Sequence, residues 1–91
     1  MSDAMRESAE PRWVVLFDSI HDVLAAEQVF KERAVWCDVV PVPRGLSADC
    51  GMAIEVRQRD EADVRRVLSD PRVRPRRVVQ LANGGWEEVD W

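Results

Sequence analysis

The chain has 91 residues, of which 46% are hydrophobic and 33% are charged, and its formal net charge is −4. This length and composition predict one globular domain and exclude a disordered chain or two separate cores. The acidic balance argues against binding to nucleic acid or to an anionic membrane, since both require a basic face. No apolar run approaches the ~18 residues of a membrane span, and no signal peptide is evident, so we expect a cytoplasmic protein.

The beginning of the chain predicts a tail, a strand and a helix. Residues 1–11 lack periodicity and are expected to be disordered. The continuous apolar run at residues 13–17 is typical of a central strand buried on both faces. Ser19, followed three residues later by Asp22, resembles a capping box. A helix is therefore predicted from about residue 20 to residue 33.

Two polar side chains on this helix are candidates for a functional role. Its predicted apolar stripe consists of Ile20, Val23, Ala26, Phe30 and Ala34. Glu27 falls near the middle of the stripe, where a carboxylate is costly unless it is paired. It therefore has a partner, or it lies at the rim and reaches water. His21 projects away from the stripe and is either a surface residue or a neutral imidazole that exchanges a proton near the site.

The next segments predict two strands that flank a proline-rich loop. Residues 35–42 form the second strand, with Cys37 on one face and Trp36 on the other. Prolines end this strand and stiffen its exit. Residues 52–56 form a third strand with alternating apolar positions.

The remaining residues predict a second helix, a fourth strand and an additional edge strand. Asp60 can cap a helix that extends to about residue 69, and residues 78–81 form a fourth strand. The turn signal Asn83-Gly84-Gly85 allows residues 86–91 to return as a fifth strand. The order predicts an α+β fold, a ferredoxin-like βαββαβ sandwich with two helices on one face of an antiparallel sheet.

The loop before the third strand concentrates the chemistry-bearing side chains. It reads Pro41-Val42-Pro43-Arg44-Gly45-Leu46-Ser47-Ala48-Asp49-Cys50-Gly51. A cysteine is reactive only when its thiolate is stabilised and accessible. Ser47 could begin a helical turn whose amides point at the Cys50 sulfur, and the Arg44 guanidinium could stabilise the same thiolate. Gly51 leaves approach to the sulfur open, whereas Asp49 opposes ionisation. The alternative for Cys50 is an inert core thiol.

Distance argues against Cys37 as a disulfide partner of Cys50. If the second and third strands pair about the loop, Cys37 lies opposite Val56, about 20 Å along the strand from Cys50. A disulfide needs Cα atoms within about 7 Å. Two distant cysteines and one histidine also lack the ligand spacing of a zinc site. Nucleotide-binding and hydrolase motifs are absent, so no metal and no cofactor is predicted.

The string P-x-P-R-x-L-S-x-x-C-G, with Ser19-x-His21 and Ala26-Glu27 upstream, resembles the selenium/sulfur (Se/S) carrier-like family of small bacterial domains. The resemblance implies that Cys50 carries the sulfur or selenium atom. It also implies that Pro43, Arg44, Ser47 and Gly51 belong to the active loop and that His21 and Glu27 support it. We assign residues 12–82 to this domain. Residues 83–91 depart from the family pattern and form an extension whose two tryptophans suit a subunit or partner contact.

Three functional hypotheses follow. In the first, Cys50 receives sulfur or selenium as a persulfide or selenosulfide and passes it to a partner, so the chain is a carrier and not a stand-alone enzyme. Its partners would be donor and acceptor enzymes. Whether the chain forms a homo-oligomer is left open. In the second, Arg44, Ser47 and loop amides bind a small anion or a partner without catalysis. In the third, Cys50 is a redox sensor that forms a mixed or intersubunit disulfide.

Overall fold

Five antiparallel strands and two α-helices form the fold in the computed structural model, which describes residues 11–46, 51–82 and 84–91. In chain order they are β1 (Arg12–Leu16), α1 (Ile20–Glu32), β2 (Asp38–Pro41), β3 (Met52–Arg57), α2 (Glu61–Leu68), β4 (Arg77–Ala82) and β5 (Gly85–Glu88). A short 3-10 turn, Gln58–Asp60, leads into α2. Of the predicted tail at residues 1–11, all but Pro11 lies outside the described residues.

The sheet has the strand order β2-β3-β1-β4-β5. The first four strands with their two helices confirm the predicted ferredoxin-like α+β fold, and β5 adds the predicted edge strand beside β4. β1 lies at the centre, where Val15 pairs with Ile54 of β3 on one side and with Val78 of β4 on the other. Its continuous apolar run is buried on both faces, as expected of a central strand.

The two faces of the sheet are buried by different elements. On one face, α1 and α2 enclose a large apolar core, here called the helix-side core. Its buried members are Trp13, Val15, Phe17, Val23, Ala26, Val29, Phe30, Ile54, Val56, Val64, Val67, Leu68, Val73 and Val78. On the other face, four buried strand residues form a smaller group, here called the loop-side cluster. Its members are Val14, Leu16, Ala53 and Val79. Alternation along each strand sends neighbouring side chains into different clusters.

The apolar stripe of α1 differs at both ends from the prediction. Val23, Ala26, Val29 and Phe30 are buried, but Ile20 is 43% exposed because it begins the helix, before the stripe reaches the sheet. Ser19 caps the helix as predicted, since its Oγ accepts a hydrogen bond from the Asp22 N–H at 3.2 Å.

Ala34 lies beyond the end of α1 and is exposed, so its predicted place in the stripe was wrong. It adopts a left-handed conformation with φ of 56°. The Val35 N–H donates to the Phe30 carbonyl at 2.9 Å, a bond that closes the last turn in the manner of a Schellman motif. Because Val35 is used in ending the helix, β2 begins only at Asp38, three residues later than predicted.

Two further boundaries were predicted with partial success. Asp60 occupies the N-cap position of α2 but makes no capping hydrogen bond with its side chain, because it belongs to the preceding 3-10 turn. β5 ends at Glu88, short of the predicted end at residue 91, and Val89 is still hydrogen-bonded to β4. The last two residues lie near α2. There the guanidinium of Arg65 on α2 donates to the main-chain carbonyls of Asp90 and Trp91 at 3.1 and 2.9 Å.

The tryptophans outside β5 occupy three different environments. Trp13 is buried in the helix-side core. Trp36 is partly buried, with the guanidinium carbons of Arg12 and Arg57 at 4.7 and 4.4 Å from its ring centroid. Trp91 is 40% exposed, which agrees with the expectation that a small core cannot hide every large aromatic side chain. No helix among the described residues is long and apolar enough to span a membrane.

Candidate functional site

The candidate site is the connection between β2 and β3. These strands form a hairpin in the predicted register, with Asp38 opposite Glu55. The Val42 N–H donates to the Gly51 carbonyl at 3.0 Å, which extends the pairing beyond the strands. Ser47 and Cys50, two of the predicted site residues, lie in the segment 47–50, outside the described residues. The geometry of the site is therefore taken from residues 42–46 and from Gly51.

Residues 43–46 form a tight turn that requires glycine at one position. The Leu46 N–H donates to the Pro43 carbonyl at 3.3 Å, and Gly45 has φ of 89°. A positive φ at the third residue is typical of a type II turn, and other residues adopt it only with strain. Val42 and Leu46, on either side of the turn, pack against the loop-side cluster. The turn thus lies against the helix-free face of the sheet.

Trp86 of β5 holds this turn from the far edge of the sheet. Its indole Nε1–H donates to the Arg44 carbonyl at 3.3 Å. A Cβ on Gly45 would lie 3.8 Å from Trp86 Cδ1, so the indole ring covers the glycine at van der Waals distance. Trp86 was missed as a site residue. The available signal was strand alternation: Trp86 pairs with Leu81, which shares a face with Val79 of the loop-side cluster.

Arg44 and Gly51 are both exposed, so the described part of the loop is open to solvent. Gly51 does not have a left-handed φ, and a Cβ built on it would meet none of the described residues within 4 Å. Neither its backbone conformation nor its described neighbours therefore require glycine at position 51.

His21 lies at the same end of the sheet as the loop. β1 ends at Leu16, which pairs with Ala53 near the start of β3, and α1 begins shortly after β1. His21, the second residue of α1, is exposed at this end. Its predicted part in proton exchange with the loop stays a prediction.

Glu27 has its described partner within α1. The Glu27 side chain is 29% exposed, and its Oε2 lies 3.7 Å from Nζ of Lys31. This position matches the rim alternative, with a charged neighbour one helical turn away. The negative charge of Glu27 also contributes to the raised pKa of Cys37, which indicates that the two side chains are near each other. Contact between Glu27 and residues 47–50 stays a prediction, since that segment is outside the described residues.

Cys37 is a free, partly buried thiol that packs against the helix-side core. Burial, followed by the negative charge of Glu27, raises its pKa to about 11. A thiol with so high a pKa carries almost no thiolate near neutral pH and is a poor nucleophile. Cys37 thus lies at the edge of the core, partly buried, and not fully inside it as a core residue would be.

The described parts of the chain, 11–46, 51–82 and 84–91, contain no group of three or more histidine, cysteine and acidic side chains that could hold a metal ion. The described part of the loop is a backbone turn that is fixed to the sheet. Arg44 in the turn is exposed, and so is Gly51, which follows Cys50 in the sequence.

Comparison with known proteins identifies one family. Neither a curated protein nor a solved structure matches the chain. Residues 12–80 match the family described as "Putative Se/S carrier protein-like". The match spans β1 to most of β4, covers more than half of the 91 residues, and ends before β5. The chain therefore belongs to the Se/S carrier-like family.

Proposed function

We propose that the chain carries a sulfur or selenium atom on Cys50 between a donor enzyme and an acceptor enzyme. In loading, the Cys50 thiolate attacks the terminal sulfur of a persulfide on the donor. The donor's S–S bond breaks, its cysteine leaves as a thiolate, and Cys50 becomes the persulfide. Unloading repeats the exchange with a thiolate of the acceptor. Selenium would follow the same steps as a selenosulfide, and no external oxidant is needed.

The observation that carries this proposal is the β2–β3 hairpin within the family match. The hairpin fixes residues 42–46 against the sheet and leaves Gly51, next to Cys50, exposed. A carrier cysteine must reach the active sites of two enzymes, and a loop at the end of a rigid hairpin suits that requirement. The other cysteine, Cys37, has a raised pKa and is poorly suited to sulfur exchange.

We assign supporting roles to the remaining predicted residues. Arg44 stabilises the thiolate or the terminal sulfur anion, and Ser47 orders the turn that leads to Cys50. Pro43 stiffens the entry to the loop. His21, at the same end of the sheet, gives a proton to the leaving thiolate, and Glu27 supports the hairpin that carries the loop from α1, near Cys37.

Sulfur loading tests the proposal directly. The Cys37→Ala variant, incubated with a cysteine desulfurase and cysteine, is expected to gain the mass of one sulfur atom, and reductant should remove it. The Cys50→Ser variant should gain nothing while keeping its fold by circular dichroism. If the Cys37→Ala protein stays unmodified while a known acceptor of the same desulfurase is loaded, the carrier function is wrong.

The same variants separate the two alternatives. A non-catalytic anion-binding domain would keep its ligand affinity in Cys50→Ser and lose it in Arg44→Ala. A redox sensor would form a disulfide-linked dimer or mixed disulfide on oxidation, without gaining sulfur from the desulfurase. A carrier loses its activity in Cys50→Ser under all conditions.

Gly51→Ala tests whether the approach to Cys50 must be open. Because the added methyl meets no described residue within 4 Å and the backbone is not left-handed, stability should change by less than about 0.5 kcal/mol. Sulfur transfer from the bulky donor should nevertheless slow, while alkylation by a small reagent should change little. Equal slowing of both reactions would indicate a rearranged loop and not a blocked approach.

A further inference from the structure

β5 lies outside the residues that match the family, yet it contacts the candidate loop. The family match ends at residue 80, and β5 comprises Gly85–Glu88. From this strand, Trp86 donates a hydrogen bond to the Arg44 carbonyl and covers Gly45 with its ring. An element additional to the family domain therefore contacts the turn that leads to Cys50.

The segment that carries Trp86 is anchored on both sides of the contact. β5 pairs with β4 along its length, from Val79 opposite Glu88 to Ala82 opposite Gly85. Beyond β5, the Val89 N–H donates to the Val78 carbonyl at 2.7 Å, and the Val89 side chain packs against the helix-side core. Arg65 of α2 then binds the next two carbonyls. Trp86 is thus presented by a fixed segment.

The contact joins Trp86 to the backbone of the turn, in addition to apolar packing. Arg44–Gly45 is the central peptide of the turn, which can flip between type II and type I geometry while the Leu46–Pro43 hydrogen bond stays. A hydrogen bond from Trp86 to the Arg44 carbonyl therefore holds this peptide in the type II orientation. The indole also packs against the loop-side cluster, as do Val40, Val42 and Leu46. Release of the turn would expose these apolar side chains to water, which is unfavourable.

We propose that Trp86 is a positioning residue for the reactive loop. It fixes the Pro43–Leu46 turn against the sheet through the Arg44–Gly45 peptide, and through the turn it influences the reactivity of Cys50. The part of this inference that concerns Cys50 rests on the proposed carrier function, whereas the part that concerns the turn does not.

Limited proteolysis measures the turn directly. Arg44 is followed by Gly45, so trypsin can cleave there, and the carbonyl of that peptide bond is the acceptor of the Trp86 hydrogen bond. Native-state cleavage follows the population of the opened turn. We expect Trp86→Ala to raise the rate of cleavage after Arg44 by about 5- to 30-fold, the factor for one to two kcal/mol. Trp86→Phe keeps a ring but loses the donor, and should give a smaller rise of about 2- to 10-fold.

Two controls separate this local effect from general destabilisation. Cleavage after Arg59, an exposed residue of the 3-10 turn at the other end of β3, should not change. Trp91→Ala, a tryptophan truncation in the same extension that keeps the carbonyl bound by Arg65, should leave cleavage after Arg44 at the wild-type rate. Equal increases after Arg44 and Arg59 in Trp86→Ala, or no increase after Arg44, would overturn the role of Trp86 at the turn.

The pH profile of alkylation tests the effect on the cysteine. In the Cys37→Ala background, Trp86→Ala should move the apparent pKa of Cys50 toward the unperturbed value of about 8.5. In Trp86→Phe the apparent pKa of Cys50 should lie between its value in Trp86→Ala and its value in the protein with Trp86. An unchanged profile with a loosened turn would overturn the positioning of Cys50. Failure of the wild-type protein to accept sulfur would instead overturn the carrier function and leave the proteolysis result standing.

Discussion

The two faces of the sheet differ in what covers them and therefore in what each can do. The helix-side core has 14 buried members drawn from strands, both helices and the segment after α2. Among the described residues the loop-side cluster has four, all from strands, and the partly buried side chains that pack against it include Val40, Val42, Leu46 and Trp86. One face is thus closed by regular helices, and the other by the candidate functional loop and a single indole ring.

This difference couples the position of the loop to apolar burial. Val42 and Leu46 of this loop pack on the four buried residues of the loop-side cluster and help to keep them from water. Regions with few buried contacts open more easily than a large core. We therefore expect the loop to lift without unfolding of the domain, and the apolar surface exposed by lifting should favour its return. Stability and loop position are expected to respond to different mutations.

The largest expected effect comes from the helix-side core. Phe30→Ala removes a fully buried ring from α1 and should cost about 3–5 kcal/mol of unfolding free energy. A loss of that size is a large part of the stability of a small domain. Urea denaturation followed by tryptophan fluorescence measures it. A loss below about 1 kcal/mol would mean that this face does not dominate folding.

Val78 and Val79 offer a matched comparison of the two faces. They are adjacent in β4, both fully buried, and belong to different clusters. Val78→Ala should cost about 2–3 kcal/mol, from lost apolar transfer plus an unfilled cavity. Val79→Ala should cost only about 1–2 kcal/mol, because the loop above it can settle into the space.

Proteolysis should rank the same pair in the opposite order. Val79→Ala weakens the surface on which residues 42–46 rest, so cleavage after Arg44 should rise. Val78→Ala should leave that local cleavage near the wild-type rate despite its larger loss of stability. If both variants changed cleavage in proportion to their global stability, the loop would open only with the whole domain.

The fold was predictable from local patterns because those patterns and the tertiary structure agree. The apolar run of β1, the Ser19 cap and the hairpin register between β2 and β3 follow from periodicity and hydrogen-bonding chemistry close in sequence. The start of β2 was predicted three residues early because Val35, a good strand residue, is used to end α1. Helix closure overrode strand propensity there.

The site was less predictable because its described contacts are long-range. The motif identified the loop, but Trp86 lies 42 residues from Arg44 along the chain. Glu27 is a different case, because the partner that the structure gives it, Lys31, lies four residues further along α1 and is available from helical spacing. The contact of Trp86 depends on tertiary packing and cannot be read from spacing alone.

Ala34→Gly should raise stability without affecting the loop. Ala34 has a left-handed φ of 56°, which costs a residue with a Cβ about 1–2 kcal/mol. Glycine relieves that strain but loses more backbone entropy, so the net gain should be about 0.5–1 kcal/mol. The urea midpoint should rise while cleavage after Arg44 stays constant. A coupled fall in that cleavage would show that the helix-covered face controls the loop.

The smallest effect is expected from the pH dependence that Cys37 contributes to the helix-covered face. Its folded-state pKa, raised to about 11 by burial and then by Glu27, lies above the unfolded value of about 8.5. The folded protein therefore binds this proton more tightly, and the resulting stability is fully present below about pH 8.5 and lost as pH rises through about 11. Solvent around the partly buried thiol should keep the loss small.

Comparison of variants isolates the contribution of Cys37 to the pH dependence of stability, because the lysine and arginine side chains are the same in all of them. Urea midpoints measured from pH 8 to 11 should fall less steeply in Cys37→Ala than in the wild type, whereas Cys50→Ser should keep the wild-type slope. Glu27→Gln should reduce the slope in part, because it removes the second cause of the raised Cys37 pKa. A flatter curve in Cys50→Ser would instead mean that the loop thiol carries the raised pKa, which an activated carrier cysteine should not have.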